Sequence, residues 1–190
     1  MYFKIFISAL FTLMLILPSN SQAQERTVAG VSFPVKMKIN DEIVVYNGGG
    51  LREKYFFDLY VCALYLKEQS MDAKKIINAN EEMSIRLKIV SDKVTRDKFV
   101  ETVKEGFGTA SEGKATDQEI KNFMDFFKGE FKIGDDIILI YKPNAGIVVY
   151  KNGKELGTQK GLEFKKALFS IWLGDTPADK NLKKAMLGKV

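Results

Sequence analysis

The chain has 190 residues, with 29 lysines and arginines against 24 acids, one cysteine and no histidine, for a net charge of +5. Without histidine there is no serine–histidine or cysteine–histidine catalysis and no histidine-ligated zinc or haem; with Cys62 alone there is no internal disulfide and no thiolate cluster. The basic residues alternate with acids instead of forming a stripe interleaved with aromatics, so no nucleic-acid partner is expected.

Residues 1–23 have the layout of a secretory leader. Lys4 supplies a positive start, Ile5 to Leu17 is an apolar core of about 13 residues, too short to span a bilayer, and Ser21 and Ala23 occupy the small-residue positions of a cleavage site. Cleavage after Ala23 leaves 24–190 as one domain of ordinary size, exported to the periplasm or beyond, monomeric, and without stable membrane insertion. An uncleaved N-terminal anchor is the alternative.

Strand-like alternation starts with Phe33, Val35, Met37 and Ile39. Asn40-Asp41 turns the chain into a second strand, "EIVVYN". Glycines 48–50 then permit bends, bulges or close backbone approach. From Tyr55 to Leu66 apolar residues fill both parities apart from Asp58, which predicts a strand covered on both faces. "SIRLKIVS" (84–91) alternates again.

The period then changes. Phe99, Val103 and Phe107 predict a helix over 95–107 with Thr95 as N-cap. Thr116 and Glu119 form a capping box ahead of a second helix over 117–129. Strands follow at 136–142 and 146–151, and Asn152-Gly153 signals a tight hairpin returning through 155–159. A third helix covers 161–173 and stops at Gly174. Thr176-Pro177 and Asp179 open a last helix to Leu187, with the proline in its first turn. The pattern predicts an α+β domain, an antiparallel sheet with helices on one face.

"GGGLR…YFFDLYVCALYL" together with "GLEFKKALFSIWLGDTPADKNLKKAMLG" resembles the chalcone isomerase-like superfamily, over about Val28 to Gly188, and most of all its short secreted bacterial branch. The resemblance implies an open-faced antiparallel sheet under a layer of α-helices, with a ligand in an apolar cleft between them. It implies that Arg52 matches the arginine that holds a phenolate oxyanion in the enzymes and a carboxylate in the fatty-acid binders. Tyr60 falls near the position of the binders' tyrosine. Thr95 stands where the enzymes have a tyrosine, Lys98 matches their lysine, Thr102 replaces their asparagine, and Ser170 matches a later hydroxyl. On this resemblance no cofactor or metal is expected, and the ligand-binding set is Arg52, Tyr60, Thr95, Lys98, Thr102 and Ser170.

The residues themselves point the same way. A guanidinium entering an apolar region needs an anion or must reach water, and its fork suits a carboxylate. The expected function is therefore binding of a fatty acid or similar amphiphilic carboxylate, and the resemblance implies that it is non-catalytic, because Thr95 and Thr102 stand in place of the enzymes' tyrosine and asparagine. One alternative is an isomerase or intramolecular lyase acting on an enone, with Arg52 steadying an oxyanion and Lys98 and Ser170 assisting; another is an envelope scaffold without ligand. Each residue also has a plainer role: Arg52 as a strand-end charge paired with Glu53 or Asp58, Lys98 on a solvated helix face, Thr95 as a cap only, Thr102 on a helix surface, Ser170 bonded to its own helix, Trp172 as core. On a straight strand Arg52 and Tyr60 stand about 27 Å apart. They share a ligand only if the chain folds back near 52–55, and Glu53-Lys54 carries no turn signal.

Overall fold

A computed structural model describes residues 24–189; the expected leader, 1–23, lies outside them. The core of the fold is a seven-stranded antiparallel meander in sequence order: β3 (Lys36–Ile39), β4 (Glu42–Lys54), β5 (Phe57–Leu66), β6 (Met83–Ile89), β7 (Asp136–Lys142), β8 (Gly146–Lys151) and β9 (Lys154–Gln159). A two-stranded ribbon, β1 (Glu25–Val28) and β2 (Val31–Pro34), precedes it. The single strand predicted over 33–39 is thus two. Pro34 has no N–H to offer a second ladder, and Val35 bridges the two sheets: its N–H donates to the Gln24 carbonyl at the end of the ribbon, while its carbonyl accepts from the Tyr46 N–H of β4.

Both faces of β5 are covered from Tyr60 to Leu66, as its apolar run predicts, but Tyr55 to Asp58, read into the same covered strand, are exposed, Tyr55 and Phe56 because they form the turn before it. Cys62, Leu64 and Leu66 face the helices, while Val61, Ala63 and Tyr65 pack with Phe33 of the ribbon and Ile39 and Val44 of the sheet. The helical layer comprises α1 (Ala73–Asn78), α2 (Arg96–Gly108), α3 (Asp117–Met124), α4 (Leu162–Leu173) and α5 (Lys180–Met186). The expected caps are present: Thr95 accepts from the Lys98 N–H, and Thr116 and Glu119 close a reciprocal capping box. α3 is shorter than predicted. It ends at Met124, and Phe127 reaches the core through a turn whose N–H bonds to the Met124 carbonyl. Pro177 lies ahead of α5 rather than in its first turn; the Asp179 carboxylate caps the helix by accepting from the Asn181 and Leu182 N–H groups. Short α1, capped by Asp72, was not predicted from periodicity, which six residues cannot establish.

The glycine run explains how α5 reaches the sheet. A Cβ at Gly48 would run into the carbonyl oxygens of Ala185 and Met186, and one at Gly50 into the Ala185 methyl. Bare backbone at both positions lets α5 lie directly on β4. Between them in purpose is Asn47, the extra residue of a β-bulge where Tyr46 pairs with Tyr65 and Gly48 with Leu64. Its amide donates to the Met186 carbonyl (2.8 Å) and the Ser70 carbonyl (3.0 Å), and its oxygen accepts from the Ser70 N–H. Replacing Gly48 with alanine forces α5 off the strand and lowers stability by about 1–3 kcal/mol, the usual cost of overpacking; urea unfolding checks this, and an unchanged midpoint would show that α5 can shift at no cost.

Lys165 ties α4 to α1. It is fully buried, and its ammonium donates to the carbonyls of Ile76, Ile77 and Ala79 at the C-terminal end of α1, between the rings of Tyr141 and Phe169. Burial pushes its pKa down to about 7, with Glu81 opposing and Lys166 adding to the depression. Between that value and the ordinary lysine range near about 10, the unfolded chain holds a proton that the folded chain has released. Stability from this group is therefore least at and below about pH 7 and grows as pH rises. Urea unfolding at both ends of that window should show the native protein gaining on Lys165→Met toward the alkaline end.

Candidate ligand-binding cleft

A cavity of about 300 Å³ opens between the β4–β5 hairpin, α2 and the end of α4. Its floor and walls come from Leu59 and Tyr60 on β5, Phe99, Thr102 and Val103 on α2, and Ile171 and Trp172 on α4, with Arg52 of β4 beside them. Phe57, Tyr55, Lys54, Lys93 and Lys98 also line it.

Arg52 and Tyr60 are direct cross-strand partners. The fold-back that their meeting requires is present, two residues beyond Glu53-Lys54: Lys54 pairs with Phe57 across a two-residue turn made of Tyr55 and Phe56, both with left-handed φ (52° and 68°). No glycine or asparagine marks this turn, so composition gave no sign of it. A bulge then sets the register. Glu53 pairs with Asp58 and Arg52 with Tyr60, leaving Leu59 as the extra residue. Leu59 and Tyr60 consequently both line the cavity, although neighbours on a regular strand face opposite sides.

Arg52 is 5% exposed, and among the described residues it makes no ion pair. Glu53 and Asp58 are exposed and face each other instead of Arg52. One guanidinium nitrogen, Nη1, donates to the Ala178 carbonyl in the α4–α5 connection. That connection is itself pinned, because the Ala178 N–H donates to the Ile171 carbonyl at 2.7 Å. Guanidinium carries five N–H donors, so this bond fixes the group's position while leaving donors for a ligand. Tyr60 accepts a hydrogen bond from the Trp172 indole N–H at 3.0 Å, which leaves its own O–H to donate elsewhere. Burial raises the Tyr60 pKa, nearby Arg52 only partly offsetting it, so the hydroxyl stays neutral. Two oriented donors, one cationic and one neutral, stand at the base of an apolar hollow. Such a pair accepts a carboxylate or another oxyanion.

Of the residues expected at the site, the structure brings Arg52, Tyr60, Lys98 and Thr102 to one cavity. Thr95 is off it, occupied as the α2 N-cap. Ser170 is also elsewhere: its hydroxyl donates to the Lys166 carbonyl one turn back (2.9 Å) and lies 3.3 Å from the Glu112 carbonyl. Trp172, read from sequence as core, turns its N–H to Tyr60, and its proximity to Ser170 in sequence places the two on different sides of α4. Lys93, Phe57 and Leu59 carried no local signal. Cys62 is wholly buried and its thiol pKa is raised by that burial, which makes it inert packing. Among the described residues no group of three or more Cys, Asp or Glu side chains is placed to hold a metal ion.

A curled antiparallel sheet, a helical layer over one face, and a cleft between them holding an arginine from the glycine-rich strand define the chalcone isomerase-like class. Residues 25–188 match the profile of that family, chalcone isomerase-like, and the chain belongs to it. Among its relatives, fatty-acid-binding protein 1 of Arabidopsis thaliana is 29% identical over 121 residues, 59% of this chain. The match spans 42% of that relative's length. Among solved structures, the crystal structure of an Arabidopsis thaliana fatty-acid binding protein superposes with a TM-score of 0.67 at 23% identity, over 83% of this chain and 92% of that one, a likeness of fold.

Because Ser170 bonds within its helix while Thr102 lines the cavity, Ser170→Ala should leave ligand affinity unchanged and lower stability by about 1 kcal/mol. Paired calorimetric binding and urea unfolding separate the two effects; a loss of affinity beyond error would place the Ser170 hydroxyl at the ligand.

Proposed function

We propose that this protein binds a fatty acid or similar amphiphilic carboxylate, without turning it over, in the cleft between sheet and helices. The observation that carries this reading is the buried Arg52 guanidinium, held by a carbonyl and without a carboxylate partner among the described residues, at an apolar cavity. Arg52 and Tyr60 take the carboxylate. Leu59, Phe99, Val103, Ile171 and Trp172 take the chain, each buried methylene contributing about 0.8 kcal/mol before ordering costs. The relatives named fatty-acid-binding proteins support it. The neutral, hydrogen-bonded Tyr60 and inert Cys62 supply neither a ready base nor a nucleophile, which supports binding over catalysis. The reading takes the protein as exported, on the leader pattern of residues 1–23 alone.

Isothermal titration with dodecanoic acid tests it. Binding is expected in the native protein and about ten- to a hundredfold weaker in Arg52→Met, the worth of a charge-assisted hydrogen bond. No heat of binding with any long-chain acid would overturn the reading, as would turnover of an enone phenol that Arg52→Met abolishes.

A further inference from the structure

The turn that brings Arg52 to Tyr60 carries large aromatic side chains where a tight turn disfavours them. Tight hairpin turns with both central residues at left-handed φ favour Asn-Gly, because bulky side chains are strained there. Here the two positions are Tyr55 and Phe56. Both point away from the core: Tyr55 is 79% exposed and Phe56 fully exposed, and Phe57 next to them is 50% exposed. The fold leaves all three successive rings at least half exposed, two of them in an unfavourable conformation. Other exposed large apolar residues, Ile43, Met71 and Ile133, lie apart in the sequence and need no explanation.

The tip sits at the cleft. Tyr55 and Phe57 line it, and so do Lys54, Lys93 and Lys98, against one acid, Glu101. The Lys54 ammonium lies 5.5 Å from the Tyr55 ring centre and that of Lys93 lies 5.9 Å from that of Phe57. Aromatic tips edged by lysines match the interfacial zone of a bilayer, where rings sit at headgroup level and ammonium groups meet phosphates. The exposed acids Glu53, Asp58, Asp92 and Asp97 adjoin these residues in sequence, and Asp92 lies 3.5 Å from the Lys93 ammonium, so ring burial rather than net charge must supply the attraction.

We propose that the β4–β5 hairpin tip is a membrane-docking element: Tyr55 and Phe56, with Phe57 behind them, enter the headgroup region of a phospholipid bilayer and present the cleft mouth to it. A protein partner fits less well. Three side chains offer about 500 Å², short of the roughly 800 Å² per partner that a stable interface buries, whereas a bilayer needs no shaped counterpart. The use of docking, exchange of an amphiphile between bilayer and cleft without its crossing water, rests on the carboxylate-binding reading; docking itself is measured without ligand.

Flotation of the mature chain with vesicles of mixed phosphatidylethanolamine and phosphatidylglycerol is the test, using Phe56→Gly as the variant. Phe56 does not line the cleft, and glycine suits its left-handed φ, so the variant should melt at or above the native midpoint and bind dodecanoate unchanged. The native protein is expected to float. Phe56→Gly should partition about tenfold less, the scale of one aromatic side chain withdrawn from an apolar environment. Most of the binding should survive raised salt. Failure of the native protein to float, or equal flotation of Phe56→Gly, overturns the proposal. So does a concentration-dependent dimer that Phe56→Gly abolishes, which would assign the tip to a second copy of the chain. Flotation without dodecanoate binding upholds docking and removes the carboxylate reading; dodecanoate binding without flotation does the reverse.

Discussion

A guanidinium inside a protein must have acceptors, and the arrangement of this fold around Arg52 follows from that need. The acceptor present is the Ala178 carbonyl, and Ala178 belongs to the connection between α4 and α5. For that connection to reach β4, α5 must lie flat on the strand. It can do so only because Gly48 and Gly50 offer no side chain, and because the bulged Asn47 fastens the far end of the helix. Gly48 and Gly50, ahead of the arginine, therefore work with it as one device. The first residues let a helix descend, and the helix brings the carbonyl that holds the cation while part of its hydrogen-bonding capacity remains open.

The cleft divides its tasks by element. The sheet supplies the charged and hydroxyl donors, Arg52 and Tyr60, from adjacent strands whose pairing fixes their spacing. The helices supply the apolar wall and, through the Trp172 N–H, decide which way the Tyr60 hydroxyl can act. Rigid elements carry both sets, which suits recognition of an oriented ligand. The hairpin tip is the least regular part of the wall, and it stands where the cleft meets solvent.

Much of this was legible in the residues. Alternation at 84–91, the apolar strands at 136–142 and 146–151, the fourfold spacing of Phe99, Val103 and Phe107, the capping box at Thr116 and the Asn152-Gly153 turn all report local physics, and each appears where it was read. The chalcone isomerase-like motifs reported the global arrangement. What escaped was set by tertiary context. Tyr55-Phe56 forms a turn without turn residues, so the separation of Arg52 from Tyr60 looked like a strand's length. Helical spacing sets Ser170 and Trp172 on different sides of α4 but could not say which side meets Tyr60, since both are buried, against different neighbours. Lys165 read as one lysine among many; only the approach of α1 shows it as a buried cap on three carbonyls.

The bulge at Leu59 has a consequence for how such a cleft can change. A pleated strand sends neighbouring side chains to opposite sides, and one residue more or less inverts everything beyond it. Deleting Leu59 would restore regular pairing while costing the pocket one of the two adjacent side chains it now receives. Lengthening the turn by one residue would instead reset which hydroxyl or aliphatic group stands opposite the arginine. Ligand preference in this architecture can therefore be rewritten by single-residue insertions and deletions near a hairpin end, a route in which chain length, rather than the chemistry of any side chain, is the variable under selection.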